Sequence, residues 1–102
     1  MIKLSVMYPE QPGKKFDFAY YQDKHFDLVR RTWGGLVKDV YVTRGLAGGA
    51  PGTPPTYRVM AHISFASMDD LQQAIAKGAA LFADIPNFTD IQPVVQVSEV
   101  LS

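Results

Sequence analysis

Residues 2–8 alternate, with Ile2, Leu4, Val6 and Tyr8 on one side and Lys3, Ser5 and Met7 on the other. That is the period of a half-buried strand. Pro9, Pro12 and Gly13 end it. The spacing then becomes helical. Phe18, Tyr21, His25, Leu28, Val29 and Thr32 form one stripe. Asp17 is placed to cap this helix, and Phe16 to pack on Tyr21 as a hydrophobic staple. Arg30 and Arg31 suit its C-terminal dipole, and Gly34 and Gly35 offer left-handed stop positions.

Residues 37–44 read as a β-branched second strand, and residues 57–66 alternate again as a third. The stretch between them, 45–56, holds four glycines and three prolines. It cannot form a core element and is expected to be a long, mobile hairpin connection. Ser67 opens a second helix, with Asp69 and Asp70 in its first turn and Leu71, Ile75 and Ala79 or Ala80 on its apolar side. Gly78 weakens that helix near its end. Pro86 and Asn87 mark an irregular segment, and 94–101 is the last strand.

The order βαββαβ predicts an α+β, ferredoxin-like domain over residues 1–102, a four-stranded antiparallel sheet with both helices on one face. The second sheet face is then expected to carry Met60 and His62 together with valines from strands two and four. Such a face is too apolar for full solvation, and a homodimer in which two sheets pack together resolves this.

Composition narrows the function. Ten basic residues balance ten acidic ones, so no basic field is present to hold phosphates and nucleic acid is not an expected partner. The absence of cysteine removes disulfides, thiolate nucleophiles and cysteine-held metals. No run approaches a membrane span, and the N-terminus lacks a signal-peptide pattern, so a cytoplasmic protein is expected.

Several segments resemble the EthD-like family. The helix-one sequence Phe16-Asp17-Phe18-Ala19-Tyr20-Tyr21, followed by His25 and Leu28-Val29, is similar to the family's. So are Ala61-His62-Ile63-Ser64-Phe65-Ala66-Ser67-Met68 and the run Ala83-Asp84-Ile85-Pro86-Asn87-Phe88-Thr89-Asp90-Ile91-Gln92-Pro93. Asp27 departs from the pattern, where many relatives carry proline. The resemblance implies a dimeric α+β barrel. The family is named for a protein associated with fuel-ether degradation. Proteins of the same barrel include small monooxygenases of aromatic polyketides, lactone isomerases and polyketide cyclases, which commonly hold an apolar substrate between helices and sheet.

His25 is the most informative residue, a polar ring on an apolar stripe. It reads either as a core histidine with satisfied nitrogens or as a general acid/base, for which histidine's ordinary pKa of roughly 6.5 is suited. Tyr21, one turn earlier, is placed to assist it. Tyr8, Tyr41 and Tyr57 are further candidates to orient it, and no carboxylate companion is evident. Trp33, Phe65, Phe82 and Phe88 are core residues by type that in this fold could wall an aromatic ligand cavity. Asn87 and Asp90 suit turns and caps, and the resemblance allows them a secondary role near the pocket mouth. His62 falls on the other sheet face, away from His25.

No metal and no cofactor are expected, although His25, Trp33 and Asn87 offer the residue types of a haem site, the rival reading. The favoured expectation is a protein binding a small apolar or aromatic metabolite, with cofactor-free proton transfer or oxygenation at His25 and Tyr21. The alternative is a carrier or accessory protein without catalysis.

Overall fold

The computed structural model describes all 102 residues. Strands β1 (Ile2–Pro9), β2 (Val37–Arg44), β3 (Tyr57–Phe65) and β4 (Val94–Glu99) form one antiparallel sheet in the order β2-β3-β1-β4. The fold is α+β and ferredoxin-like. Helix α1 (residues 18–33) joins β1 to β2, while α2 (Met68–Ala76) and α3 (Ala79–Asp84) join β3 to β4.

The alternation in β1 places Leu4, Val6 and Tyr8 under the helices, opposite Ile63, Ala61 and Val59 of β3. These residues are the floor of the core. Asp17 caps α1 by accepting the Tyr20 N–H at 3.0 Å, and the Phe16 ring packs on Tyr21 at 4.9 Å, the staple expected of that position. Gly34 alone ends α1 with a positive φ of 46°; Gly35 does not share that conformation. A 3₁₀ turn, Gly34–Leu36, leads into β2.

The structure revises three expectations. First, the second helix is two helices, interrupted at Lys77 and Gly78. Its buried positions are Leu71, Ala74, Gly78 and Leu81, and Ile75 is exposed. Second, β4 ends at Glu99 and β3 at Phe65, shorter than the apolar runs suggested. Third, register places Val40 and Val42 of β2 on the helix side of the sheet rather than on the open face, and of the β4 valines it puts Val95 and Val97 on the helix side and Val94 on the open face. They remain exposed on the two edge strands. The open face is more polar than expected. It carries Ser5, His62 and Tyr41 with Met7, Met60 and Val94.

Gly78 is buried for a packing reason. A Cβ there would lie 3.2 Å from the Trp33 ring and 3.0 Å from the Ala74 carbonyl oxygen. Trp33 cannot retreat, because its indole N–H donates to that same carbonyl at 2.8 Å and its ring packs on Phe65 at 5.6 Å. Gly→Ala usually stabilises a helical segment by up to about 1 kcal/mol. Here Gly78→Ala is expected instead to destabilise by about 1–3 kcal/mol, read as a lower urea midpoint at unchanged slope.

Candidate functional site

Between α1 and the sheet lies a narrow cavity walled almost entirely by apolar groups. Val6, Ala61 and Ile63 supply its floor, Val29 and Trp33 one wall, and Leu81, Phe82 and Ile85 its outer side. A water's centre can sit within about 30 Å³ of it, room for roughly two waters. A ring-sized ligand therefore requires movement of the side chains at the rim, where Phe82 is 37% exposed and Phe26 and Ile85 are half-buried.

His25, 8% exposed, is a polar group on this cavity. Its Nδ1 is 2.9 Å from Oδ2 of Asp84. The other oxygen of Asp84 accepts from the Tyr20 hydroxyl at 2.7 Å and from the Asn87 amide at 2.9 Å. A carboxylate only accepts, so His25 Nδ1 carries the proton in this bond, and in the neutral ring Nε2 keeps its lone pair. Burial pushes the Asp84 carboxyl up, but the bonds from Asn87, His25 and Tyr20 outweigh it and hold the group below the ordinary carboxylate range.

The backbone of α1 explains how two of those donors reach one acid. Tyr21–His25 is a π-helical turn set between the α-helical pieces Phe18–Tyr20 and Phe26–Trp33, and the Phe26 N–H bonds the Tyr21 carbonyl. Residues five apart stand about 140° apart around a regular α-helix. The wider turn brings Tyr20 and His25 to the same side, toward Asp84. It also leaves the Tyr21 and His25 rings nearly parallel, 11° between planes at 5.6 Å. Inserted π turns of this kind recur at functional sites.

Of the residues anticipated from sequence, Tyr8, Tyr21, His25, Trp33 and Phe82 meet on the cavity. Phe88 stands behind it, fully buried, with its ring 4.8 Å from His25 and 4.9 Å from Tyr21. Phe65 lies deeper, against Trp33. Asn87 is exposed outside the cavity and acts through Asp84. Tyr41 and Tyr57 line none of the cavity. Tyr41 packs at a tilt on His62 at 4.9 Å on the open sheet face, where His62 Nδ1 shares a 2.8 Å hydrogen bond with the Ser5 hydroxyl. Burial, with Lys3 nearby, holds the His62 pKa down.

The expectation that His25 lacks a carboxylate companion is corrected by Asp84, and Tyr20 is a second residue that sequence reasoning passed over. A signal was present for the acid. Asp84 lies three residues after buried Leu81, beside the apolar stripe of α3. Asp27, the departure from the family pattern, pairs on the surface with Arg31 at 2.9 Å and lies outside the cavity.

The pH dependence follows from Asp84. Its folded pKa lies below its unfolded one, so its contribution to stability is complete above the unfolded value of roughly 4. It is lost as pH falls through the folded value. Asp84→Asn is expected to flatten the stability profile below about pH 4, measured by urea unfolding between pH 3 and 7.

Fold and site together define a ferredoxin-like α+β protein in which a histidine–aspartate pair opens on an apolar cavity. The chain belongs to the EthD family. The EthD domain matches residues 13–92. An EthD-like protein from Ralstonia eutropha is 41% identical, with 99% of this chain and 92% of that one covered and a TM-score of 0.91. An ethyl tert-butyl ether D family protein from Bacillus halodurans is 23% identical over 99% of both chains, with a TM-score of 0.75. A dimeric protein of ferredoxin-like fold from Bacteroides fragilis shares the fold at 10% identity, covering 97% and 95% of the chains, with a TM-score of 0.54. No curated protein matches the chain. No helix is long and apolar enough to cross a membrane.

Proposed function

We propose that the cavity binds a small apolar or aromatic metabolite and that His25 removes an acidic proton from it. The observation that carries this reading is the 2.9 Å His25–Asp84 bond at the edge of an otherwise apolar cavity. Asp84 selects the tautomer and stabilises the imidazolium that forms, while Nε2 serves as the base. Apolar walls exclude water and strengthen the pair's electrostatics. Tyr21 stacks on the imidazole and fixes its plane. The same first step opens isomerisation, cyclisation or, with dioxygen, oxygenation of an electron-rich ring.

The test is an NMR screen of monocyclic aromatic ketones, phenols and lactones in D₂O. Binders are expected to shift resonances of His25, Phe26 and Phe82, and the acidic C–H of at least one is expected to exchange. That exchange is lost in His25→Asn. Binding without exchange in any compound assigns a carrier role instead. Absence of binding contradicts the reading.

The protein acts as a homodimer in this proposal. Support comes from the exposed Val40 and Val42 on one edge strand and Val95 and Val97 on the other, apolar area that the chain's own helices leave uncovered. The Bacteroides fragilis neighbour is described as dimeric. Native mass spectrometry is expected to show twice the 11.3 kDa chain mass, and Val97→Asp is expected to shift the population toward the single chain.

A further inference from the structure

Two hydroxyls on the cavity have no partner in the protein. Tyr8, at the end of β1, and Tyr21, in the π turn, are 1% and 2% exposed. Both line the cavity beside His25, and their rings meet edge-on with centroids 6.1 Å apart. Other polar groups nearby are occupied. The Tyr20 hydroxyl donates to Asp84 and the Trp33 N–H to Ala74. No hydroxyl bond is formed by Tyr8 or Tyr21, yet no fully enclosed side-chain polar atom is left unpaired. Neither hydroxyl is therefore fully enclosed, and the open space that both residues share is the cavity.

Placing two phenols there is costly unless something accepts from them, since phenylalanine would fill the same volume without an unmet donor. Burial raises both phenols well above their ordinary pKa, and for Tyr8 the proximity of Tyr21 adds to this. Both remain neutral and act as donors. The only other polar group facing this space is the His25 ring. Two donors on one cavity, next to a base and within apolar walls, match one oxygen that accepts two hydrogen bonds.

We infer that the Tyr8 and Tyr21 hydroxyls are a receptor for the carbonyl oxygen of a ligand whose neighbouring C–H faces His25. The inference rests on the cavity being the ligand site. In the step it describes, His25 Nε2 takes the proton from the carbon next to the carbonyl. The C–H electron pair becomes the new C=C bond, and the carbonyl π pair moves onto oxygen. The two hydroxyls hold that charge where it develops. Once the proton on Nε2 is replaced by a solvent deuteron, delivery to the same carbon gives exchange, and delivery to another carbon gives an isomer. No oxidant or further reactant is needed. The substrate class is thus a small ketone, or a lactone or ester with an acidic α-C–H.

The experiment compares acetophenone, ¹³C-labelled at the carbonyl, with α-methylstyrene, in which a CH₂ replaces the oxygen. Wild-type protein is expected to bind both and to move the carbonyl carbon signal downfield. The Tyr8→Phe/Tyr21→Phe double variant is expected to bind acetophenone at least about tenfold more weakly, while its affinity for α-methylstyrene is unchanged. Equal losses for the two compounds, or an unmoved carbonyl signal in wild-type protein, overturn the inference and leave the cavity reading intact. The wild-type carbonyl shift decides the matter even if the double variant does not fold. Failure of both compounds to bind wild-type protein overturns the cavity reading and the inference with it.

Discussion

Asp84→Asn is expected to slow proton exchange at an acidic C–H of a bound ligand by about 10²-fold or more, the lower end of what a positioned general base contributes. The reason lies in the count of donors. Oδ1 of Asp84 accepts two hydrogen bonds, from Tyr20 and Asn87, and Oδ2 accepts one, from His25. An asparagine keeps its oxygen where two donors converge and turns its amide nitrogen toward His25. That nitrogen donates to Nδ1 and forces the ring proton onto Nε2, the atom that must be free to act as base. The side chain is the same size, so the fold should persist. Loss of charge-assisted bonds lowers stability by about 1.5–3 kcal/mol at neutral pH. D₂O exchange at saturating acetophenone, read by proton NMR, separates the two effects. An exchange rate equal to wild type would show that the carboxylate does not set the tautomer of a working base.

Phe88→Ala is expected to lose about 3–5 kcal/mol of stability, a large part of the roughly 5–15 kcal/mol a domain of this size holds. Phe88 is fully enclosed, with rings of Tyr8, Phe16, Tyr21 and His25 at 6.0, 5.3, 4.9 and 4.8 Å. Its carbonyl also receives the Asp17 N–H at 2.7 Å, which ties the start of α1 to the segment before β4. Truncating the ring opens a void between that segment and the π turn. The thermal midpoint is expected to fall by some 12 °C or more, and Phe88→Leu is expected to restore part of it. A Phe88→Ala protein with a wild-type melting curve would mean that the wall behind His25 holds without this ring.

Much of this architecture is legible in the chain. Period-two runs locate β1 and β3, and β2, read from its β-branched content, has the limits that its residues suggest. The stripe through Tyr21, His25 and Val29 faces the core as its spacing requires. The aromatic residues around it are where a βαββαβ order would place them. What escapes the sequence is what depends on distant docking. Asp84 lies 59 residues from His25, and only the seating of α3 selects it among ten acids. Nor does local propensity announce the π turn. It is stabilised by where Tyr20 and His25 must reach, a tertiary demand. The edge valines are apolar on both parities in β4, so period alone cannot say which set lies under the helices; pairing of Val95 with Val6 and Val97 with Leu4 does. Gly78 reads as a weak helical position until Trp33 is seen lying on it.

The central claim is that His25, held by Asp84, presents a free Nε2 to a ligand in the cavity. Long-range proton–nitrogen correlation on ¹⁵N-histidine protein at neutral pH measures this directly. The neutral ring of His25 is expected to show a protonated Nδ1 and an unprotonated Nε2, and the Nε2 signal is expected to move as acetophenone is added. A proton on Nε2, or an Nε2 signal that stays in place while acetophenone binds, would contradict it.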